Sequence, residues 1–178
     1  PLPVLVECDT GMGRCGVQTA AEASALAKAI DGAKGLTFGG LMTYPAAGKQ
    51  AEAEAWLAGA KQALAAAGLE CRRISSGGTP DMWRSGEDGV VTEYRPGTYI
   101  YLDRYQVAKG VGSLDDCALT VLATVVSHPT PTRAILDSGS KALSSDTLGL
   151  ADFGELLGIP GARVTGLSEE HGNVTLSG

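Results

Sequence analysis

The stretch Val6-Glu7-Cys8-Asp9-Thr10-Gly11-Met12-Gly13-Arg14-Cys15-Gly16-Val17 decides how this sequence is read. The run from Leu2 to Glu7 is short, rich in Val and Leu, and bounded by a glycine turn, which is the pattern of a buried strand. A turn that only reverses the chain has no need of an arginine. A turn that presents a cation to a bound anion or phenolate does.

Working outward, strand and helix patterns alternate. Thr19-Ala-Ala-Glu22 has the form of a capping box. Ala23, Leu26, Ala27 and Ile30 follow at helical spacing, and Gly32 to Gly35 stops that helix. Leu36 to Tyr44 reads as a second strand. Residues 50–67 read as a helix with Trp56, Ala60, Leu64 and Ala67 on one face and Gly68 as its stop. Cys71 to Ser75 returns as a strand, Gly77-Gly78 as a tight turn, and Thr79-Pro80 as N-cap and first helical residue. Val90 to Leu102 reads as extended. This alternation is the grammar of a parallel α/β sheet or barrel, and four strands are too few to close a barrel that needs eight. After Gly112 the pattern changes. Leu114 to Ser127 is rich in Val, Leu and Thr, "HPTPT" makes a break, and Arg133 to Leu136 reads as the returning partner. The expected division is therefore a partial β/α barrel over 1–111 and a mostly β domain over 112–178.

The totals narrow the function. Of 178 residues, 44% are hydrophobic and 19% charged, which fits a globular chain rather than a disordered one. A net charge of −6 without a basic patch argues against nucleic acid and anionic membrane surfaces. No apolar run approaches the roughly 20 residues of a membrane span. Cys8, Cys15, Cys71 and Cys117 form no zinc-type pattern and are expected to be reduced, mostly buried thiols of a cytoplasmic protein.

Three strand ends carry the candidate chemistry. The first is Asp9 to Arg14. The second is Ser75-Ser76-Gly77-Gly78-Thr79-Pro80, where backbone N–H groups, a hydroxyl and a helix start converge as a phosphate cradle. The third is Glu93-Tyr-Arg-Pro-Gly-Thr-Tyr99, in which Arg95 offers a cation, Gly97 a close backbone approach and Thr98 a hydroxyl. Singly, each has a bland reading: a plain turn, a surface arginine, half-buried tyrosines at 44 and 99. Their order along the chain, each at a strand end, favours a shared site.

"DTGMGRCG", "GLMTYP", "SSGGTP", "TEYRPGTYIY", "TRAILDSGSKALSSD" and "EEHG" together resemble the pyridoxal-phosphate enzymes of the alanine-racemase-type barrel, and among them the D-threonine aldolases and D-serine dehydratases. The resemblance implies the second half of a (β/α)8 barrel followed by part of a mostly β C-terminal domain. It implies pyridoxal 5′-phosphate as cofactor, with Arg14 on the phenolic oxygen, Tyr44 near the ring, and Arg95 near the pyridine nitrogen. It assigns Ser76, Gly77, Gly78, Thr79, Gly97 and Thr98 to the phosphate. It further implies a homodimer acting on a small D-amino acid, and retro-aldol cleavage of D-3-hydroxy amino acids assisted by a divalent metal (Mn, Mg or Zn). Loss of water from D-serine or 3-hydroxy-D-aspartate is the alternative. A non-catalytic pyridoxal-phosphate carrier and a structural or regulatory fragment stand as the readings without turnover.

Two family features have no counterpart here: an upstream strand with the Schiff-base lysine, and a metal-binding His-x-Asp or His-x-Cys pair beyond "EEHG". The chain is therefore expected to be an inactive piece of a longer enzyme, joined by a missing N-terminal half or a second copy of itself. Of its six lysines, Lys141 is the tempting decoy, with a bland reading as an entrance-loop lysine. His128 is expected in a loop, and His171 is the one catalytic candidate. "LGLADFGELLG" (148–158) is expected to be a mobile or interface loop without assigned chemistry.

Overall fold

A computed structural model describes residues 1–85 and 89–177. The chain divides into two compact units, Pro1–Ile100 and Tyr101–Gly178. The division expected at 111/112 falls inside the second unit.

The first unit is a parallel sheet in the order β1 (Leu2–Glu7), β2 (Leu36–Met42), β3 (Ile74–Ser76), β4 (Glu93–Tyr94). Two helices, α1 (Ala20–Gly32) and α2 (Gln50–Ala66), supply the crossovers. Period two along β1 turns Val4, Val6 and Cys8 toward the helices, where they join Ala23, Ala27, Ile30, Leu41, Leu57, Ala60, Leu64 and Ile74 in one core. Each large apolar side chain buried there contributes roughly 1.5–3 kcal/mol.

Local chemistry sets the ends of both helices. Thr19 Oγ1 accepts from the Glu22 amide at 3.2 Å, and Glu22 Oε2 accepts from the Thr19 amide at 2.9 Å, so the capping box forms as read. α2 ends in a Schellman turn: the Leu69 amide bonds the Leu64 carbonyl, the Gly68 amide bonds that of Ala65, and Gly68 takes the left-handed φ of +79°. The buried face of α2 differs from the expected one. Ala53, Leu57, Ala60 and Leu64 are buried, Trp56 packs at the edge of the core, and Ala67 is the half-buried C-cap. Leu26, expected on the core face of α1, is 43% exposed.

Beyond α2, regular structure is sparser than the sequence pattern suggests. Residues 71–73 lie outside the ladder, and β4 is two residues long where an extended run to Leu102 was expected. A hydroxyl supplements the pairing there: the Ile74 amide donates to Thr92 Oγ1 at 2.9 Å, and the Thr92 amide donates to the Ile74 carbonyl at 2.9 Å. Pro96 and a 3-10 turn at Thr98–Ile100 then end the extended backbone.

The second unit holds α3 (Arg104–Ala108), capped by the Asp103 side chain on the Gln106 amide at 2.8 Å, which the sequence reading missed. Its antiparallel sheet runs β5 (Val125–Thr130), β6 (Arg133–Leu136), β9 (Gly172–Thr175), β8 (Arg163–Leu167), β7 (Gly154–Glu155). The β5–β6 hairpin pairs as expected, but "HPT" continues β5 rather than breaking it, so His128 sits on an edge strand and not in a loop. Part of 148–158 is ordered as β7, where Glu155 pairs with Arg163 at 2.6 Å. No helix among the described residues is long and apolar enough to cross a membrane.

Gly40 fixes how closely β2 and β3 approach. Its φ is +134°, and a Cβ there would overlap the Arg73 carbonyl, which accepts from the Leu41 amide at 3.0 Å. Gly40→Ala is expected to lower stability by about 3 kcal/mol or more, read as a drop in the urea midpoint with the slope unchanged.

Candidate functional site

The site begins with the loop that leaves β1. The Asp9 and Val17 amides bond the Val17 and Glu7 carbonyls at 3.0 and 2.9 Å, so residues 9–16 close on themselves. Inside that loop Asp9 Oδ1 accepts from both the Gly11 and Gly13 amides at 3.0 Å. The Gly13 amide, then that of Gly11, hold the Asp9 carboxyl below its usual range. Asp9 thus shapes the turn that delivers Arg14, and Arg14 carries its guanidinium to 5.1 Å from the centre of the Tyr44 ring.

Tyr44 connects this loop to the glycine turn. A Cβ on Gly78 would lie 2.7 Å from the Tyr44 hydroxyl, and one on Gly77 would lie 2.5 Å from the Tyr94 ring. Gly77 also has φ of +106°. Both glycines are therefore required by close approach, Gly77 doubly so. Ser76 Oγ is buried and finds no hydrogen-bond partner among the described residues, a vacancy a ligand oxygen would fill. Thr79 Oγ1 accepts from the Tyr99 amide at 3.1 Å, which sets Thr98 beside this turn. Thr79 opens a six-residue 3-10 segment kinked at Asp81, with Gly78 as its N-cap, rather than capping a longer helix itself. The cradle is accordingly a property of the turn. Gly97 has open space at its Cβ position, so none of the described residues demands glycine there.

Arg95 lies across the strand ends. One terminal nitrogen donates to the Thr43 carbonyl at 2.9 Å and the other to Ser75 Oγ. Thr43 and Ser75 are both fully buried; the sequence reading gave Thr43 no role and named Ser75 only as the start of the glycine-turn stretch. Their signal was a polar residue at the end of an otherwise apolar strand. Thr43 Oγ1 donates to the Cys8 carbonyl at 2.7 Å and lies 2.8 Å from Thr10 Oγ1. An open hollow of about 490 Å³, lined by Met82, Trp83, Ser85, Tyr94, Pro96 and Tyr99, borders the cradle; Arg14 and Ser76 do not line it. Burial pushes the Cys8 thiol up to about 12, with Cys71 a smaller cause, which makes it a packing group and not a nucleophile. Cys71 is likewise buried, while Cys117 is half-buried and Cys15 exposed.

In the second unit, His171 lies in the turn between β8 and β9, its side chain exposed. Its amide donates to Ser168 Oγ at 3.2 Å, and its carbonyl accepts from the Ser168 amide at 2.9 Å. Lys141 Nζ is 2.6 Å from Glu170 and 3.3 Å from Glu169. Those hydrogen bonds, Glu170 first, raise its pKa, which is the wrong direction for an amine nucleophile. Among the described residues no group of three or more His, Cys, Asp or Glu could hold a metal ion.

The chain is similar to known families, proteins and structures. The family described as "Alanine racemase, N-terminal domain" matches residues 1–105, and "Putative serine dehydratase domain" matches 118–178. A D-threonine aldolase of Arthrobacter sp. is 36% identical over 97% of this chain and 48% of its own length. A D-threo-3-hydroxyaspartate dehydratase of Delftia sp. is 38% identical over 95% of this chain and 50% of its own. The crystal structure of D-threonine aldolase from Filomicrobium marinum superposes with a TM-score of 0.80 at 29% identity, covering 98% of this chain and 50% of that one. The chain spans about half the length of the curated relatives it matches.

Asp9 provides a pH test of the first loop. Its folded-state pKa is depressed, so its contribution is complete above the unfolded value near 4 and is lost as pH falls through the folded value. Asp9→Asn is expected to melt below wild type at pH 7, with the gap closing as melts are repeated down to about pH 3.

Proposed function

The chain belongs to the D-threonine aldolase and D-serine dehydratase branch of the alanine-racemase-type family, and from that premise we propose that it is the cofactor-holding part of a pyridoxal 5′-phosphate lyase that splits D-3-hydroxy amino acids. D-threonine would give glycine and acetaldehyde. The observation that carries the reading is that Arg14 and Gly78 both approach the Tyr44 ring, Gly78 being next in sequence to the Ser76–Gly77 turn whose serine hydroxyl is unpaired among the described residues.

The residues present fit the group. Ser76, Gly77, Gly78 and Thr79, with Gly97 and Thr98 alongside, would hold its phosphate. Arg14 would face the phenolic oxygen, Tyr44 would lie near the ring, and Arg95 would donate to the ring nitrogen and keep it unprotonated. When bound, the cofactor supplies the electron sink for bond breaking, and the chain supplies placement and charge. The catalytic lysine and the ligands of a divalent metal (Mn, Mg or Zn) are assigned to residues outside these 178. The metal would help deprotonate the β-hydroxyl. His171 is retained as the substrate-side candidate of the second unit. The intact protein is proposed to be a cytoplasmic homodimer, and residues 1–178 alone to be inactive.

Loss of water from D-serine or 3-hydroxy-D-aspartate is the second reading, favoured by the 38% identity to the Delftia dehydratase. The two differ in whether Cα–Cβ or Cβ–O breaks. Supplied with pyridoxal phosphate and Mn²⁺, the intact protein is expected to release acetaldehyde and glycine from D-threonine. Ammonia and a keto acid from D-threo-3-hydroxyaspartate, without aldehyde from D-threonine, would establish the dehydratase instead. Neither product, with no cofactor absorption, would refute both. Arg14→Ala is expected to weaken cofactor binding about tenfold or more, and His171→Ala to lower turnover while leaving binding unchanged.

A further inference from the structure

We propose that Ser75 is the positioning residue for Arg95 and that Glu93 holds Ser75 in that role, an inference resting on the reading of Arg95 as the cation at the ring nitrogen. Ser75 Oγ lies 2.5 Å from Glu93 Oε1 and also contacts the terminal nitrogen of Arg95. A guanidinium only donates, so Ser75 uses a lone pair for Arg95 and its single proton for Glu93. The order is therefore Arg95 to Ser75 to Glu93, and no other order satisfies all three groups. The Ser75 hydroxyl takes no part in the sheet ladder. That work is done by its backbone, whose carbonyl accepts from the Thr43 amide at 2.9 Å.

The arrangement fixes the plane of Arg95. One anchor is the Thr43 carbonyl after β2, the other is Ser75 on β3, and the Arg95 amide is itself held by the Ser76 carbonyl at 3.0 Å. Two of the five guanidinium N–H groups are committed to these anchors, which leaves three for a ligand. Glu93 has a second neighbour in Arg73 at 3.6 Å, so its carboxylate accepts from Ser75 while staying paired on its outer side. Without the Ser75 hydroxyl, one anchor remains, and a guanidinium on a single hydrogen bond rotates freely.

The test uses the intact protein and titrates pyridoxal phosphate, reading the dissociation constant and the absorption maximum of the bound chromophore. Ser75→Ala is expected to raise the dissociation constant about tenfold and to move the maximum. In an Arg95→Lys background the same change is expected to add less than about twofold, since the group it positions is gone. Glu93→Gln keeps an acceptor oxygen and is expected to stay within about threefold of wild type. Glu93→Ala leaves buried Ser75 in place and is expected to lose more than Glu93→Gln, which carries the comparison if Ser75→Ala does not fold. If wild type binds the cofactor while Ser75→Ala, or Glu93→Ala in its stead, matches it in both readouts, this inference alone is overturned. The same holds if the Ser75→Ala loss is undiminished in the Arg95→Lys background. A wild type that binds no pyridoxal phosphate overturns the cofactor reading and this inference with it.

Discussion

The fully buried Thr43 holds the strand ends of the first unit together. Its amide bonds β3 through the Ser75 carbonyl, and its hydroxyl bonds the Cys8 carbonyl after β1 and meets Thr10 in the first loop. Its own carbonyl takes a terminal nitrogen of Arg95. One residue of β-branched shape thus joins three strands and two loops, with every polar atom satisfied. A buried hydroxyl without partners would cost roughly 1–3 kcal/mol, so the site is rigid because leaving any of these bonds is expensive. The geometry of Arg14, the glycine turn and Arg95 depends on that rigidity, because each stands on a segment that Thr43 touches directly or through one neighbour.

Much of the first unit was legible from period and caps. β1, the capping box of α1, and Gly68 as the stop of α2 follow from local rules that tertiary packing did not override. The buried face of α2 was not, because Trp56 is large enough to sit at a core edge while the smaller Ala53 and Leu57 take the interior. Extended structure after Val90 was overread for a related reason. Val90, Val91, Tyr94 and Tyr99 have strand-like composition, yet Pro96 removes a ladder donor and the Ile74 amide turns to the Thr92 hydroxyl. α3 was missed because its five residues are too few to show a period.

The site divides in the same way. The glycines and arginines stood out because their residue types are unusual at strand ends. Thr43 was hidden, and Asp9 and Ser75 were legible only as members of their turns, because their roles are hydrogen bonds to main chain or to neighbouring side chains, and sequence spacing does not reveal which serine of a pair faces inward. Ser75 and Ser76 are adjacent and equally buried, yet one hydroxyl is committed to Glu93 and Arg95 and the other finds no partner among the described residues. Period two places them on opposite sides of β3, so neighbouring hydroxyls serve different purposes.

An overall charge of −6 would repel a phosphorylated, anionic ligand at long range. The strand ends overcome this locally. Asp9 turns its carboxylate to the Gly11 and Gly13 amides of its own loop. Glu93 is occupied by Ser75 and by Arg73. Among the described residues Arg14 meets the ring of Tyr44, and Arg95 binds neutral oxygens of Thr43 and Ser75. Arg14 and Arg95, set against neutral groups, supply positive charge to an anion at short range, well inside the Debye length of about 10 Å. Lys141 of the second unit, by contrast, is ion-paired with Glu169 and Glu170.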